Sequence, residues 1–390
     1  MGPGWIVMLA DVDAPSILTA MQSGYYLGYL MIPWLILITI PLYFIQELTI
    51  RLAIGSGKGI GEVLKERYGE LVALASLAAM VVIDGAAYIG EYSAIAAVGL
   101  MLGMPVAVSI LLAITLHSLI IAFAGRYRAV ENMLLAISAL ILVYLAAFAV
   151  FRLDYGGVAH AFSAMFSPKT YSPGYVTLLA ANIGAAVMPW MLYYQSSAIV
   201  DKGLKPQHYT HERFETAIGA IVSEVLMIAG VIVGYVIRAR GGDVDGFESA
   251  LKSIMGIMGA GWFYAASIGL IAAALLAIFV ISMGFAYGFG EFLGRSGFRN
   301  RFSSAKEFYI FYLIEVVPAA VIVLASPDLA RLIIDIMVFN SIALAIPLIL
   351  LVKLTSDKGI VGGFAIGKAR AYVLYALALI VLALGIYAIV

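Results

Sequence analysis

Residues 10–16 of the chain read ADVDAPS, and residues 182–197 read NIGAAVMPWMLYYQSS. Each stretch interrupts an apolar run of about the 20 residues that a membrane-spanning helix needs. Each also sets a proline close to a side chain that can bind a cation, Asp13 in the first and Met188 in the second. Proline removes a backbone donor and disfavours helical geometry at the preceding residue, here Ala14 in the first stretch. We therefore expect two broken helices that present a carboxylate, a thioether and free carbonyls.

The composition around these stretches is that of an integral membrane protein. Of the 390 residues, 64% are hydrophobic and 12% are charged, and the mean hydropathy is +1.04. A water-soluble domain does not reach such values, so an enzyme with a large aqueous domain is excluded and no enzymatic activity is expected. The apolar runs are helical or featureless in periodicity and number eleven: 2–25, 26–50, 71–100, 105–124, 129–151, 174–200, 214–238, 260–293, 306–326, 328–352 and 370–390. The sequence predicts an all-α membrane protein with about eleven transmembrane helices.

The two broken helices occupy equivalent places in two halves of the chain. Asp13 and Met188 are 175 residues apart, which matches a five-span unit used twice and followed by an eleventh helix. Interrupted helices at corresponding positions are typical of transporters whose site lies between inverted repeats. We predict one transmembrane domain over residues 1–390, with repeats at about 1–152 and 173–353 and a final helix at 368–390. Two independent proline kinks are the alternative.

The charged residues indicate orientation and partners. With the N-terminus inside, 17 of the 23 lysines and arginines fall in inner loops, which predicts a multi-pass protein of the cell membrane with a cytoplasmic N-terminus and an extracytoplasmic C-terminus. The net charge of zero gives no reason to expect nucleic acid as a partner. The absence of cysteine excludes disulfides and thiolate metal sites. We expect the lipid bilayer and a substrate as partners, and a protein that works as a monomer.

Acidic residues within the apolar runs are the first functional signal. A carboxylate near mid-bilayer costs about 2.5 to 3.5 kcal/mol, so such groups persist where they face a cavity and bind a cation or proton. For any single acid, protonation, a bonded hydroxyl or a wet interface explains its presence equally well. Together they favour a cation or proton pathway. The acids without a basic neighbour in their run are Asp11, Asp13, Asp84, Glu91, Glu224, Glu315 and Asp335.

In order and spacing, the motifs resemble those of the NRAMP divalent metal transporters, which have the LeuT-type inverted-repeat fold. Members of that family open with Gly-Pro-Gly, eight residues, and Asp-Pro-Gly-Asn. Here residues 2–4 are Gly-Pro-Gly and residues 13–16 are Asp-Ala-Pro-Ser. Three further stretches resemble family motifs: IQELTIRLAIGSG at 45–57, GAAVMPWMLYYQSSAIV at 184–200 and AYGFGEFLG at 286–294.

The resemblance implies a secondary transporter that moves divalent metal ions by alternating access, the ion being substrate and no cofactor being needed. It implies an ion held by the Asp13 carboxylate, the Met188 thioether and the Ala185 carbonyl, with Ser16 where the family uses an asparagine amide. A soft sulfur ligand favours manganese or iron over calcium and magnesium. Met188 as a packing residue is the alternative, since methionine commonly fills gaps.

Several positions depart from the family pattern of proton coupling. Trp190 stands where the family has the histidine of Met-Pro-His, and tryptophan cannot carry protons. Glu91 aligns with the glutamate of the family's Asp-x-x-Glu, whereas Tyr88 occupies the aspartate position. We expect weak or absent proton coupling. The candidates for a replacement proton or ion path are Asp84, Glu91, Glu224, Glu315 and Trp190.

Two other functions stay open. The departures also resemble the NRAMP-related branch that carries magnesium without proton coupling, although a thioether contributes little to binding a hydrated magnesium ion. The same fold also carries amino acids, but Asp13 facing a substrate carboxylate would be repulsive.

Overall fold

The computed structural model describes residues 2–124, 127–151, 154–294, 306–325 and 330–389. Within these ranges the chain forms helices and no strands. The α-helices are α1 (Pro3–Asp11), α2 (Ala14–Leu27), α3 (Ile32–Ser56), α4 (Ile60–Tyr68), α5 (Glu70–Met101), α6 (Val106–Ala124), α7 (Tyr127–Ile141), α8 (Ala146–Val150), α9 (Tyr155–Ala164), α10 (Pro173–Ala186), α11 (Pro189–Asp201), α12 (Tyr209–Ala239), α13 (Phe247–Met258), α14 (Ala260–Phe292), α15 (Lys306–Ala325), α16 (Ala330–Ala343), α17 (Ala345–Ser356), α18 (Lys358–Val361) and α19 (Lys368–Ile389).

The apolar character of these helices is that of a membrane bundle. Among the described residues, seven helical stretches are long and apolar enough to cross a membrane, the first of which joins α2 and α3, and three shorter apolar helices accompany them. The prediction of an all-α membrane protein is therefore confirmed. The number of spans stays a prediction.

Both predicted breaks are present. Between α1 and α2, Val12 (φ −79°, ψ 59°) and Asp13 (φ −79°, ψ 172°) leave the helix. Between α10 and α11, Val187 and Met188 are extended. The expectation that Ala14 is non-helical is wrong, because α2 already begins at that residue. A proline in the first turn of a helix loses no hydrogen bond, so the break lies before it.

Glycines allow α2 to pack along α12 with backbone against backbone. A Cβ added to Gly24 would overlap the carbonyl oxygen of Val231, and one added to Gly234 would overlap that of Met21. No side chain fits in so little space, so glycine is required at both positions. The close packing holds the second half of the first broken helix rigidly against α12.

A buried carboxylate ties α3 to α12 and α19. Glu47 accepts hydrogen bonds from Arg51 Nε at 2.7 Å, from Arg370 and from the hydroxyl of Tyr209. The Nε atom of Arg213 lies 3.4 Å from the same carboxylate. Glu47 is fully buried, and three guanidinium groups share its charge.

We expect Glu47→Ala to lower the free energy of unfolding by about 3 kcal/mol, because the three arginines lose their common counterion. Chemical unfolding of the purified protein in detergent, followed by circular dichroism, measures this loss. Glu66→Ala is the control, since Glu66 is exposed and pairs with Lys58 at the surface, where a salt bridge contributes at most about 1 kcal/mol. Equal losses for the two variants would contradict the prediction.

Candidate functional site

The two broken helices pack side by side. Contacts join α1 to α11 and α2 to α10, so the first break lies beside the second. The carbonyls that end α1 and α10 and the amides that begin α2 and α11 all lie at this level, where they have no partner within a helix. Ala185 belongs to the last turn of α10, so its carbonyl is one of these groups.

Asp13 caps the start of α2 with one carboxylate oxygen and leaves the other open. Its Oδ1 accepts a hydrogen bond from the backbone N–H of Ser16 at 2.7 Å. Its Oδ2 and the hydroxyl of Ser16 are buried and have no hydrogen-bond partner among the described residues. Both groups are therefore available to a ligand at the break.

Glu91 of α5 joins Asp13 at the same point. Its Oε2 accepts a hydrogen bond from the backbone N–H of Ala14 at 3.3 Å, and its carboxyl group lies against that of Asp13. No ion pair in the described part of the chain involves either acid. Two carboxyl groups in contact repel each other unless a cation or a proton lies between them. Glu91, which the sequence suggested for a proton path, thus lies directly at the predicted ion position.

Met188 begins α11, and Trp190 contacts its sulfur. The indole Nε1–H of Trp190 donates to Met188 Sδ at 3.2 Å, and both side chains are fully buried. Trp190 was also a candidate for the ion path. In the structure its indole N–H is directed at the thioether of Met188, so Trp190 lies beside the predicted ion position.

Asn340 of α16 reaches the second break. Its Nδ2 donates to the carbonyl of Gly184, one residue before Ala185. Its Oδ1 is buried and has no hydrogen-bond partner in the described ranges. Ser16 supplies a hydroxyl and not an amide oxygen, which Asn340 can provide. The feature of the sequence that points to Asn340 is an amide side chain within an apolar run.

A second acid pair, Asp84 of α5 and Glu315 of α15, lies away from the breaks. Both acids are buried, they interact electrostatically, and none of their oxygens has a hydrogen-bond partner among the residues described. Between this pair and Glu91 on α5 stands Tyr88, whose hydroxyl donates to the carbonyl of Ile278 at 3.1 Å. The structure therefore places three of the four candidate proton acids at two sites, Glu91 beside Asp13 and Asp84 beside Glu315, with Tyr88 between them on α5.

The remaining acids take three different places. Asp11 ends α1 and accepts a hydrogen bond from Ser223 of α12 at 3.2 Å. Glu224 lies on the side of α12 that faces α3. Asp335 is exposed on α16. A part for Asp335 in a cation pathway stays a prediction, whereas the neighbouring Ile336, Met337 and Val338 are buried.

Two acids of α12, which were not among the residues predicted from the sequence, bind the backbone at the N-terminal end of α1. Glu212 accepts from the backbone N–H of Gly4 at 2.9 Å, and Glu215 accepts from that of Trp5 at 3.3 Å. A Cβ on Gly4 would overlap the hydroxyl of Thr216. These contacts explain why the chain opens with Gly-Pro-Gly. The feature of the sequence that points to the two acids is their spacing of three residues at the start of α12.

The motif at the end of α14 forms a further set of buried contacts between helices. Glu291 accepts from the backbone N–H of Gly61 at 2.8 Å and from the hydroxyl of Ser197. It thereby joins α14 to the first turn of α4 and to α11. Toward the C-terminal end of α5, a cavity of about 350 Å³ lies between α5, α13 and α16 and is lined by Ser93.

Known proteins of similar sequence are transporters. The chain is 26% identical to the divalent metal cation transporter MntH of Bacillus subtilis (strain 168), covering 100% of this chain and 91% of the relative. It is 24% identical to the MntH of Granulibacter bethesdensis, covering 98% of this chain and 86% of the relative. These relatives are transport proteins, which agrees with the expectation that the chain is not an enzyme.

Solved structures show the same fold. The manganese transporter of Eremococcus coleocola, solved as a point mutant, superposes with a TM-score of 0.78 at 16% identity, covering 98% of this chain and 84% of that chain. Mhp1, a nucleobase-cation-symport-1 family transporter, superposes with a TM-score of 0.53 at 13% identity, covering 100% of this chain and 92% of that chain. These likenesses confirm the predicted transporter fold.

The family follows from the whole length of the chain. A model of the natural resistance-associated macrophage protein-like family, Nramp, matches residues 4–390. The match includes Gly4, both breaks and the end of α14. The chain therefore belongs to the Nramp family.

Proposed function

We propose that the protein is a secondary transporter that carries divalent metal ions of the manganese or iron kind across the cell membrane by alternating access. The observation that carries this proposal is the contact between the Asp13 and Glu91 carboxyl groups at a helix break, with no base paired to either among the described residues. A divalent cation supplies the charge that this arrangement lacks. The names of the relatives, divalent metal cation transporter and manganese transporter, support the same substrate class.

The ligand set that we propose combines hard and soft atoms. Asp13 gives a carboxylate oxygen, Ser16 a hydroxyl, Ala185 a carbonyl and Met188 a thioether. Asn340 adds an amide oxygen beside the second break. Oxygen ligands suit every divalent ion, whereas sulfur contributes to the binding of manganese, iron and softer ions more than to that of magnesium.

The contacts at the N-terminal end of α1 indicate how one side is closed. Release of an ion toward that side requires α1 to leave Glu212 and Glu215, and an ion pair between Lys202 and Glu131 at 2.7 Å lies beside the same helix end. We propose that this is the cytoplasmic side, with the repeats at about 1–152 and 173–353 moving against each other and the C-terminus outside.

Ion flux into liposomes tests the function. We expect the reconstituted protein to take up Mn²⁺ strongly, Mg²⁺ weakly and leucine not at all. Uptake is measured with a metal-sensitive dye for the ions and with labelled leucine for the amino acid. Stronger uptake of Mg²⁺ than of Mn²⁺ would favour the magnesium transporter, and leucine uptake without metal uptake would overturn the proposal.

We further expect metal uptake with little accompanying proton movement. Tryptophan replaces the usual histidine at residue 190, and Tyr88, whose hydroxyl contacts the carbonyl of Ile278 and the hydroxyl of Ser282, lies between Glu91 and Asp84 on α5. The ion gradient and the membrane potential then drive transport, the latter supplying about 4.6 kcal/mol for a divalent ion at 100 mV.

Liposomes loaded with a pH-sensitive dye measure this coupling. We expect Mn²⁺ entry without a matching acidification over a range of Mn²⁺ concentrations. Glu91→Gln serves as the comparison, since Glu91 is the candidate proton acid nearest the proposed ion position. Acidification that follows Mn²⁺ entry and disappears in Glu91→Gln would show that the acids form a working proton path.

A further inference from the structure

Three arginines from three helices share one carboxylate. Glu47 accepts hydrogen bonds from Arg51 of α3 and from Arg370 of α19, and the Nε atom of Arg213 of α12 lies 3.4 Å from it. Among the described residues, every ion pair of these arginines is to Glu47. We call the three arginines and Glu47 the arginine cluster. Three positive charges face one negative charge, so the cluster has two positive charges in excess.

Several guanidinium N–H groups of the arginine cluster are left without an acceptor. Arg213 uses its Nε atom for the hydroxyl of Tyr43 at 3.1 Å, and its two Nη atoms have no hydrogen-bond partner among the described residues. Arg370 uses one Nη atom for Glu47, and its Nε atom is buried without a partner in the described part of the chain. The side chains of Arg213 and Arg370 are 38% and 25% exposed. An anion can therefore reach these donors from outside the bundle.

Aromatic rings hold the guanidinium groups in place. Arg213 and Arg51 lie over the ring of Tyr209, at 5.2 and 5.5 Å from its centroid. Arg370 lies over the ring of Phe44, at 4.8 Å. Stacking on a ring restricts the orientation of a planar guanidinium group. The free donors of the cluster are therefore arranged before an anion binds.

The arginine cluster lies at one edge of the hydrocarbon region. The helix α19 has 22 residues, about 33 Å in length, so it just spans the bilayer core, and Arg370 is its third residue. Arg213 lies in the second turn of α12, which begins at Tyr209. Ile40 and Phe214 nearby are 55% and 65% exposed, on helices apolar enough to cross a membrane. An anion bound to the cluster is therefore at the level of the lipid headgroups, next to an apolar surface.

The charge and the position of the cluster together select the anion. Inorganic phosphate has no apolar part for the adjoining surface. A zwitterionic headgroup brings an ammonium group to a cluster that already has excess positive charge. An anionic phospholipid meets both conditions, because its phosphate accepts bidentate hydrogen bonds from guanidinium groups while its acyl chains pack on the exposed apolar side chains.

We propose that the arginine cluster binds the phosphate group of an anionic phospholipid, such as phosphatidylglycerol, with Arg213 and Arg370 as the donors. Arg51 remains bound to Glu47. The same end of α12 carries Glu212, which binds the N-terminal end of α1. Under the proposed function this is the cytoplasmic side, where the membrane surface carries anionic lipids. The binding of the lipid does not itself rest on that function.

Native mass spectrometry of the purified full chain in dodecyl maltoside tests the proposal without any transport. We expect dioleoylphosphatidylglycerol to bind at a single saturable site, and dioleoylphosphatidylcholine to bind at least about tenfold more weakly. Arg213→Gln and Arg370→Gln should each weaken binding of the anionic lipid at least about tenfold, since each removes charge-assisted hydrogen bonds. Arg67→Gln is the matched control and should bind as the unaltered protein does, because the side chain of Arg67 is 57% exposed and pairs with Asp357 at the surface.

Three results would overturn the proposal. Phosphatidylcholine could bind as tightly as phosphatidylglycerol, or both cluster variants could bind phosphatidylglycerol as Arg67→Gln does. Alternatively, millimolar sodium phosphate could displace the lipid, which would indicate a site for a soluble phosphate. Each cluster variant leaves two arginines on Glu47, and the two substitutions lie on different helices, so one keeps the test decisive if the other does not fold. Failure here would leave Mn²⁺ uptake by the unaltered protein unchanged.

Discussion

Asp13→Ala is expected to reduce divalent metal uptake at least about 100-fold in a protein that still folds. The substitution removes the carboxylate that lies at the break itself and leaves Glu91 as the acid beside the ion. Loss of one partner of a buried charge pair costs about 3 to 5 kcal/mol, which corresponds to a factor of more than about 100 in binding. Mn²⁺ uptake into liposomes, at equal amounts of reconstituted protein, measures the loss.

A second variant separates ion binding from helix capping. Asp13 also accepts a hydrogen bond from Ser16 at the start of α2, and loss of such a cap costs about 0.5 to 2 kcal/mol of stability. Asp13→Asn keeps an acceptor for this bond and loses the charge. We expect it to unfold like the unaltered protein and yet to transport as poorly as Asp13→Ala. Normal Mn²⁺ uptake by Asp13→Asn would remove the basis for the ion site.

Met188→Leu is expected to reduce the preference for Mn²⁺ over Mg²⁺ about tenfold. Leucine keeps the volume of the side chain and removes the sulfur, which only the softer ion uses as a ligand. The matched control is Met31→Leu, a fully buried methionine between α2 and α3. Competition of Mg²⁺ against Mn²⁺ uptake gives the ratio, and the same ratio in both variants would show that Met188 is a packing residue.

Substitution of Trp190 is expected to change the preference for Mn²⁺ over Mg²⁺ in the direction opposite to that of Met188→Leu. The indole N–H of Trp190 donates to the Met188 sulfur at 3.2 Å, so this bond competes with a metal for the electrons of the sulfur. Trp190→Phe keeps an aromatic ring and removes the donor. We expect a higher preference for Mn²⁺ over Mg²⁺ in this variant. A lower preference, with the fold intact, would show that the hydrogen bond positions the sulfur for the ion.

The sequence alone determined the class of fold and the residues at the two breaks. In a membrane, every backbone donor and acceptor needs a hydrogen-bond partner within the protein. An apolar run of this length provides those partners only as a helix. A proline inside such a run ends a helix through local sterics, independently of its neighbours. Asp13 and Met188 were therefore predictable. The exact positions of the breaks were not, since Pro15 and Pro189 lie in the first turns of the second helices rather than disrupt them.

Only the tertiary structure decided what the other acids do. Glu91, Asp84 and Glu224 look alike in sequence, each a single acid in an apolar run. Packing brings Glu91 against Asp13, pairs Asp84 with Glu315, and places Glu224 within electrostatic reach of Asp11. The physical reason is that a residue's position along a helix fixes its face but not the helix against which that face packs.

The contacts of α12 with the N-terminal end of α1 also depend on how the helices pack. Glu212 and Glu215 bind backbone amides more than 200 positions away in the chain, and nothing local to either acid indicates that partner. The hydrogen bond from Trp190 to Met188 joins residues two apart, yet it forms only because the break leaves Met188 outside the helix. Local sterics thus fixed where the helices break, and long-range packing fixed which groups meet there.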